Sequence, residues 1–348
     1  MKHLLQSDEV ETISLEVESS PVWEVILGIS GYTHRRLRHT FDLDEEWSRS
    51  SSSMPTSLVT NLDEIEKTNF WYALIMLQNK FSSQSVQEFS NRLSELPVVS
   101  FYETLLPYKN RAHEANRLQV AEQYMKPGIF EQYSTYFEHH DFLEGYIRNL
   151  GVYSYQQMKD LLVTIVSGWY DWISQNEHWK KWNQALAYEQ KRNGSLDRQN
   201  PVEEIERVTD GVKYLPEPTV WKVKLIPHVA YRPWILEKRT PDTKLFFYPL
   251  KDEYLVSPGT PSSELIRGHK ALGDEIRLKL LYQLMKGPHS LQELSVTFNT
   301  SKTSLHHQLS LLKAEKFVVV EKGIYSVNPQ RIHTFSEKLN AFLGLKDE

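Results

Sequence analysis

TSKTSLHHQLSLLKAEKF, residues Thr300–Phe317, decides the fold of the C-terminal part of the chain. Taking Leu305 as zero on a helical wheel, Leu309 falls at about 40° and Leu312 at about 340°, so the three leucines form one inward stripe. By the same count Thr303, His306, His307 and Ser310 lie between about 100° and 200°, facing away from it. Ser301 stands where a cap is needed. Adjacent histidines on a helix point about 100° apart, whereas chelation from one helix wants spacings of three or four, so the pair is poorly placed to hold a metal. A row of Thr, His, His and Ser flanked by Lys302 and Lys313 suits hydrogen bonding to base edges and phosphates in a groove.

The flanking residues carry their own start and stop signals. SSELIRGHKALGD predicts a short helix ending near Gly273, and DEIRLKLLYQLMKG a second one with Ile276, Leu280, Leu281 and Leu284 on one face and Lys286-Gly287-Pro288 as its stop. Ser290 and Glu293 have capping-box spacing at the head of a two-turn helix, and Asn299-Thr300 is the turn after it. FVVVEKGIYSVNP predicts a hairpin about Glu321-Lys322-Gly323. An amphipathic helix with Ile332, Phe335, Leu339 and Phe342 closes the chain. Helix, short helix, turn, helix and hairpin make a winged helix-turn-helix.

SKTSLHHQLSLLKAEKFV resembles the recognition-helix signature of the arsenic-repressor (ArsR-type) family, and HKALGDEIRLKLLYQLMKGPHSLQEL resembles the pattern that precedes it. The resemblance covers about a quarter of the chain. It implies a DNA-binding repressor with double-stranded DNA as partner and Ser301, Lys302, Thr303, Ser304, His306, His307, Ser310, Lys313 and Lys322 at the interface. It also implies a homodimer formed through SSELIRGHKAL and RIHTFSEKLNAFLG. Two departures stand out: Lys316 replaces the glycine usual in the family, and the short wing holds a single lysine. Metal-sensing members use cysteines in the first helix of the motif or Asp/His pairs in the last, and here the last helix has only His333. SPVWEVILGI near the start resembles a subgroup in which a long N-terminal domain of unassigned role precedes the winged helix.

Composition limits what the rest can be. At 348 residues, with 40% hydrophobic and 12% aromatic residues, the chain supports two folded domains. It contains no cysteine, which excludes disulfides, thiolate metal sites and a cysteine nucleophile. The opening MKHLLQSDEVETIS has no apolar run of signal-peptide length, and no stretch reaches 18 apolar residues, so the expectation is a cytoplasmic protein with no membrane span. From Leu265 onward there are 12 Lys and Arg against 8 Asp and Glu, leaving 28 against 37 for the preceding part. A basic module on an acidic body fits a polyanion partner.

The alternation Ile13, Leu15, Val17 predicts a strand, and SPVWEVILGI a helix opened by proline. Helices are expected over Asn61–Phe81, Ser82–Leu96 and about Ser154–Arg192, with a Ser-rich loop at Ser48–Ser57. Thr219–His228 and Thr243–Leu250 predict strands. Trp169, Trp172, Trp179 and Trp182 fit one stripe of a single helix, a core or a subunit interface. LVSPGTPSS, Leu255–Ser263, is the linker candidate.

The expected fold is therefore α+β and mainly helical. Residues 1–257 form an N-terminal helical domain with a small β-sheet, for regulation or oligomerisation, and residues 262–348 a winged helix-turn-helix. No cofactor or metal is expected, and a small-molecule effector of unknown identity would act through the body. Two other classes stay open: a winged helix used as a protein-interaction module, and an enzyme with its chemistry around His113, Glu114, His139 and His140. No nucleotide-binding, hydrolase or HExxH pattern supports the latter.

Overall fold

The computed structural model describes residues 13–197, 199–251, 255 and 261–343. The chain is α+β and mainly helical, and it forms two compact units. One consists of the residues up to Arg38 with Glu45–Leu250; the other consists of His39–Asp44 with the residues from Lys251 onward.

The first unit opens with β1 (Ser14–Val17), whose Leu15 and Val17 are buried as their alternation predicts. Ser20 then accepts the Val22 N–H and caps α1 (Pro21–Thr33), with proline at its first turn. α1 is apolar on every side and correspondingly buried. There follow α2 (Asp44–Ser50), α3 (Thr56–Thr68), α4 (Trp71–Phe81), α5 (Val86–Glu95), α6 (Val98–Leu105) and α7 (Glu114–Glu122). After these come α8 (Ile129–Ser134), α9 (Leu143–Leu150), α10 (Tyr155–Ile173), α11 (Trp179–Arg192) and α12 (Pro201–Thr209).

Three sequence expectations change here. Asn61–Phe81 is not one helix: Asn69 takes a left-handed φ of 59° and ends α3 before α4 starts. The Ser-rich stretch is partly helical, since α2 runs to Ser50 and a 3-10 turn covers Ser51–Ser53. The four tryptophans lie on two helices, because the Asn176 side chain accepts the His178 N–H at 2.8 Å and turns the chain between α10 and α11. Trp169 and Trp172 remain in contact, at 5.0 Å between ring centroids. Trp169 also packs on Tyr32 and Trp47, and a Cβ at Gly28 would come within 2.7 Å of its indole nitrogen, so α1 and α10 cross at a bare glycine.

β2 (Lys222–His228), β3 (Leu236–Arg239) and β4 (Thr243–Pro249) complete a sheet of order β1-β2-β4-β3. β2 pairs in parallel with β1 and β4, in the registers Leu15↔Val223 and Leu225↔Phe246. β3 is an antiparallel edge that periodicity does not predict. β2 is buried on both faces, as a central parallel strand is. Its Lys224 pairs with Glu18 at 2.8 Å.

Glu24 and His228 are among the titratable groups that the fold encloses. Glu24 accepts the backbone N–H groups of Val229 and Ala230, and burial lifts its pKa to about 7. For His228, burial, then the charge of Arg232, push the pKa down to about 3, with the backbone at Phe247 and Trp234 opposing.

The second unit contains α13 (Ser263–Leu272), α14 (Glu275–Met285), β5 (His289–Ser290), α15 (Leu291–Thr297) and α16 (Lys302–Ala314). A hairpin of β6 (Val318–Glu321) and β7 (Ile324–Val327) and the long α17 (Pro329–Leu343) complete it. β5 joins the hairpin in the order β5-β7-β6, a strand that two residues of sequence do not announce. Leu280, Leu281, Leu284, Leu294, Leu305, Leu309, Leu312, Phe317 and Phe335 form its core. Ile276, assigned to the inner face of α14 by periodicity, is 41% exposed: it occupies the first turn, beyond the reach of that core. α13 crosses α17 with Gly268 against the Phe335 ring. Most of the linker candidate lies outside the described residues.

Candidate nucleic-acid interface

The helix-turn-helix is built from local signals. Ser290 and Glu293 form a reciprocal capping box on α15, and Asn299 (φ 47°) takes the left-handed turn after it. Ser295 donates to the Thr300 carbonyl at 2.7 Å, which fixes the turn's exit. Ser301 accepts the Ser304 N–H and caps α16.

Leu305, Leu309 and Leu312 of α16 are buried, so the wheel is right about the inward stripe. Lys302, Thr303, Ser304, His306, His307 and Lys313 are exposed, along with Ser301 at the cap. Ser310 departs from the expected row. It is 7% exposed and donates to the His307 carbonyl at 2.8 Å, so its hydroxyl is turned to its own helix rather than outward. Crowding around Lys313 lowers its ammonium pKa through desolvation. Lys322 stands at the hairpin tip with φ 49°, followed by Gly323 at 80°, the pair of left-handed residues that a tight two-residue turn needs.

α16 ends where the family pattern has glycine. Lys316 nevertheless keeps the glycine-type conformation, at φ 60°, and donates to the Lys313 carbonyl while Phe317 donates back to Leu312. Those two bonds make a Schellman ending that launches β6.

Several residues that hold this surface escaped the sequence reading. Arg277 donates to the carbonyls of Lys270 and Ala271 and to Gln308 of α16, at 2.7–2.8 Å. It pins the end of α13 to the outward helix, and its only sequence signal was its place in GDEIRLKLL. Glu315, buried after α16, is held by Arg267 at 2.5 Å, and its backbone carbonyl accepts from Arg331. Burial raises its pKa despite those cations.

Residues 39–44 belong to this same unit, and no periodicity or spacing could have placed them there. His39 stacks on His307 with ring centroids 4.2 Å apart and planes at 30°. Its pKa is lowered, first by burial and then by the charge of His307, with Asp44 opposing. Asp42 pairs with Arg267, beside Glu315.

The histidines and carboxylate named for an enzyme site are employed locally. Glu114 grips Arg117 through both oxygens, His113 bonds Asn110 at 2.7 Å, and the His140 ring accepts the Leu143 N–H at the start of α9. No three His, Cys, Asp or Glu side chains converge as metal ligands among the described residues. No helix among them is long and apolar enough to cross a membrane.

Residues 274–319 match the family model described as bacterial regulatory protein, arsR family. The match runs from the cap of α14 into β6, and so contains α15, the turn and α16. It shows an ArsR-type helix-turn-helix behind a long N-terminal region, and with it a DNA-binding regulator. No curated protein and no solved structure matches the chain.

Proposed function

We propose that the chain is a cytoplasmic transcriptional repressor that reads double-stranded DNA with α16 as a homodimer, by binding rather than catalysis. The observation that carries this reading is the exposed row Lys302, Thr303, His306 and His307 on a capped helix whose opposite face is locked into a leucine core. Side chains of that kind contact base edges, while Lys302, Lys313 and Lys322 suit phosphates. Control by the N-terminal part of the chain is supported by His39, whose ring already occupies one side of His307. The inner faces of α13 and α17 are spent on each other, which leaves the exposed Ile266, Phe342 and Leu343 as large apolar groups available to a second copy.

The test is selection of genomic duplex fragments followed by footprinting, then isotherms of variants on the selected site and on random duplex at two salt concentrations. Thr303→Ala and His306→Ala should each cost about 1–3 kcal/mol on the selected site and little on random DNA. Lys302→Ala should weaken both and lower the salt slope by about one. Four flat isotherms, with Lys313→Ala included, would remove the assignment.

A second reading has one observation in its favour. Leu278, Tyr282 and Met285 line up along α14 at spacings of four and three and are all exposed, which suits a protein partner. Salt-insensitive capture of a protein together with no duplex selection would favour it.

A further inference from the structure

The first unit contains an open cleft of about 570 Å³ between α2, the start of α3 and the C-terminal half of α10. That volume is within the range of small-molecule sites. Its floor is apolar, with Trp47 and Leu58 buried, and Trp172 forms a half-buried wall whose indole N–H donates to Ser53 at 3.1 Å. Its polar groups carry one sign of charge. Glu46 and Asp171 contribute carboxylates, and among the described residues no lysine, arginine or histidine lines the space. The carbonyl end of the 19-residue α10 adds a partial negative charge at the same place. Asn176 steadies Glu46 by donating to it, so that carboxylate is held in position rather than neutralised.

From the aromatic floor and the one-signed rim, we propose that this cleft binds a small organic cation, an amine or guanidinium on a short apolar stem. The part-exposed Trp172 indole favours such a cation by its ring and the stem by its area, while the carboxylates repel phosphates and carboxylic acids. Any regulatory use rests on the DNA-binding reading: Glu46 and Trp47 stand two and three residues after Asp44 in the chain.

The experiment is isothermal titration of the full-length chain with putrescine, spermidine and agmatine, against glucose and citrate as neutral and anionic probes. At least one cation should saturate a single site at micromolar to low-millimolar concentration. Asp171→Asn and Glu46→Gln, both near-isosteric and checked for an unchanged melting temperature, should each weaken that binding about tenfold, the factor that about 1.4 kcal/mol of lost charge attraction produces. Trp172→Leu should weaken it with the charges intact. The proposal is overturned if none of the three cations saturates, if glucose or citrate binds as tightly, or if the variants bind like the parent chain. Because binding is read without DNA, this result is independent of the DNA-binding assignment. A parallel duplex titration with and without spermidine tests the regulatory use alone.

Discussion

Lys316 shows how a single residue can obey a geometry that its side chain opposes. The Schellman ending of α16 requires a left-handed residue, and Lys316 adopts φ 60° although a Cβ makes that conformation unfavourable. Lys316→Gly should therefore raise stability by about 1 kcal/mol and leave the wing's register unchanged, measurable by denaturant unfolding at constant slope. A loss of stability would mean that contacts of the lysine outweigh the backbone cost. Glu24 and His228 make a paired prediction about pH. Glu24, at about 7 in the fold, stabilises the protein below its ordinary carboxylate pKa of 4.5, and this contribution fades as pH rises through 7. His228, at about 3 in the fold, contributes fully above 6.5 and fades as pH falls toward 3. Between about pH 4.5 and 6.5 the two slopes oppose each other and nearly cancel. In Glu24→Gln only the histidine slope survives there, so stability should climb by roughly 1 kcal/mol per pH unit across that window. Melting curves at four pH values read the slope directly; a flat profile in the variant refutes the pairing.

Among the elements, those with chemical signals at both ends were legible in sequence. α16 has a serine cap and a leucine stripe, although its Schellman ending at Lys316 was not announced by a glycine; α15 has its capping box; the hairpin has Lys322-Gly323. Breaks inside apolar periodicity were not legible. The tryptophan spacing runs on through residues 174–178 as if the helix continued, and only the Asn176 turn shows that it does not. Ser310 was placed on the outward side because a wheel treats each position as an angle, whereas a serine can bond back to its own helix. The stack of His39 on α16 belongs to this scale as well. If duplex DNA needs that side of His307, His39→Ala should raise affinity by about two- to tenfold, the range that about 0.5–1.5 kcal/mol of ring contact corresponds to. Isotherms on the selected site decide it, and an unchanged affinity would show that the segment and DNA do not compete.

Over the whole molecule, residues 263–327 could be assembled into a winged helix from sequence because their contacts are local, whereas the place of residues 39–44 and the pairing of the first unit's strands could not because those contacts are distant. The parallel pairing of β1 with β2 joins residues 14–17 to 222–225, and nothing in either strand names the other. The same holds for the acid-lined cleft, which three separated helices compose. The lack of cysteine is a property of the entire chain and gives a prediction at that scale: operator binding titrated with and without arsenite or zinc should superimpose, and release by micromolar arsenite would contradict it.

The unit that holds α16 is discontinuous, and this has a consequence for its synthesis. Residues 39–44 leave the ribosome before residues 45–250, and the rest of their unit comes only from residue 251 onward. The unit therefore reaches its final set of contacts only after α16 and the elements that follow it have been made, and a nascent chain stalled before α16 has no complete copy of it. A hybrid made by a single crossover near residue 251 inherits α16 from one parent and the residue that stacks on His307 from the other, so a cassette that keeps the unit whole has to carry residues 39–44 as well.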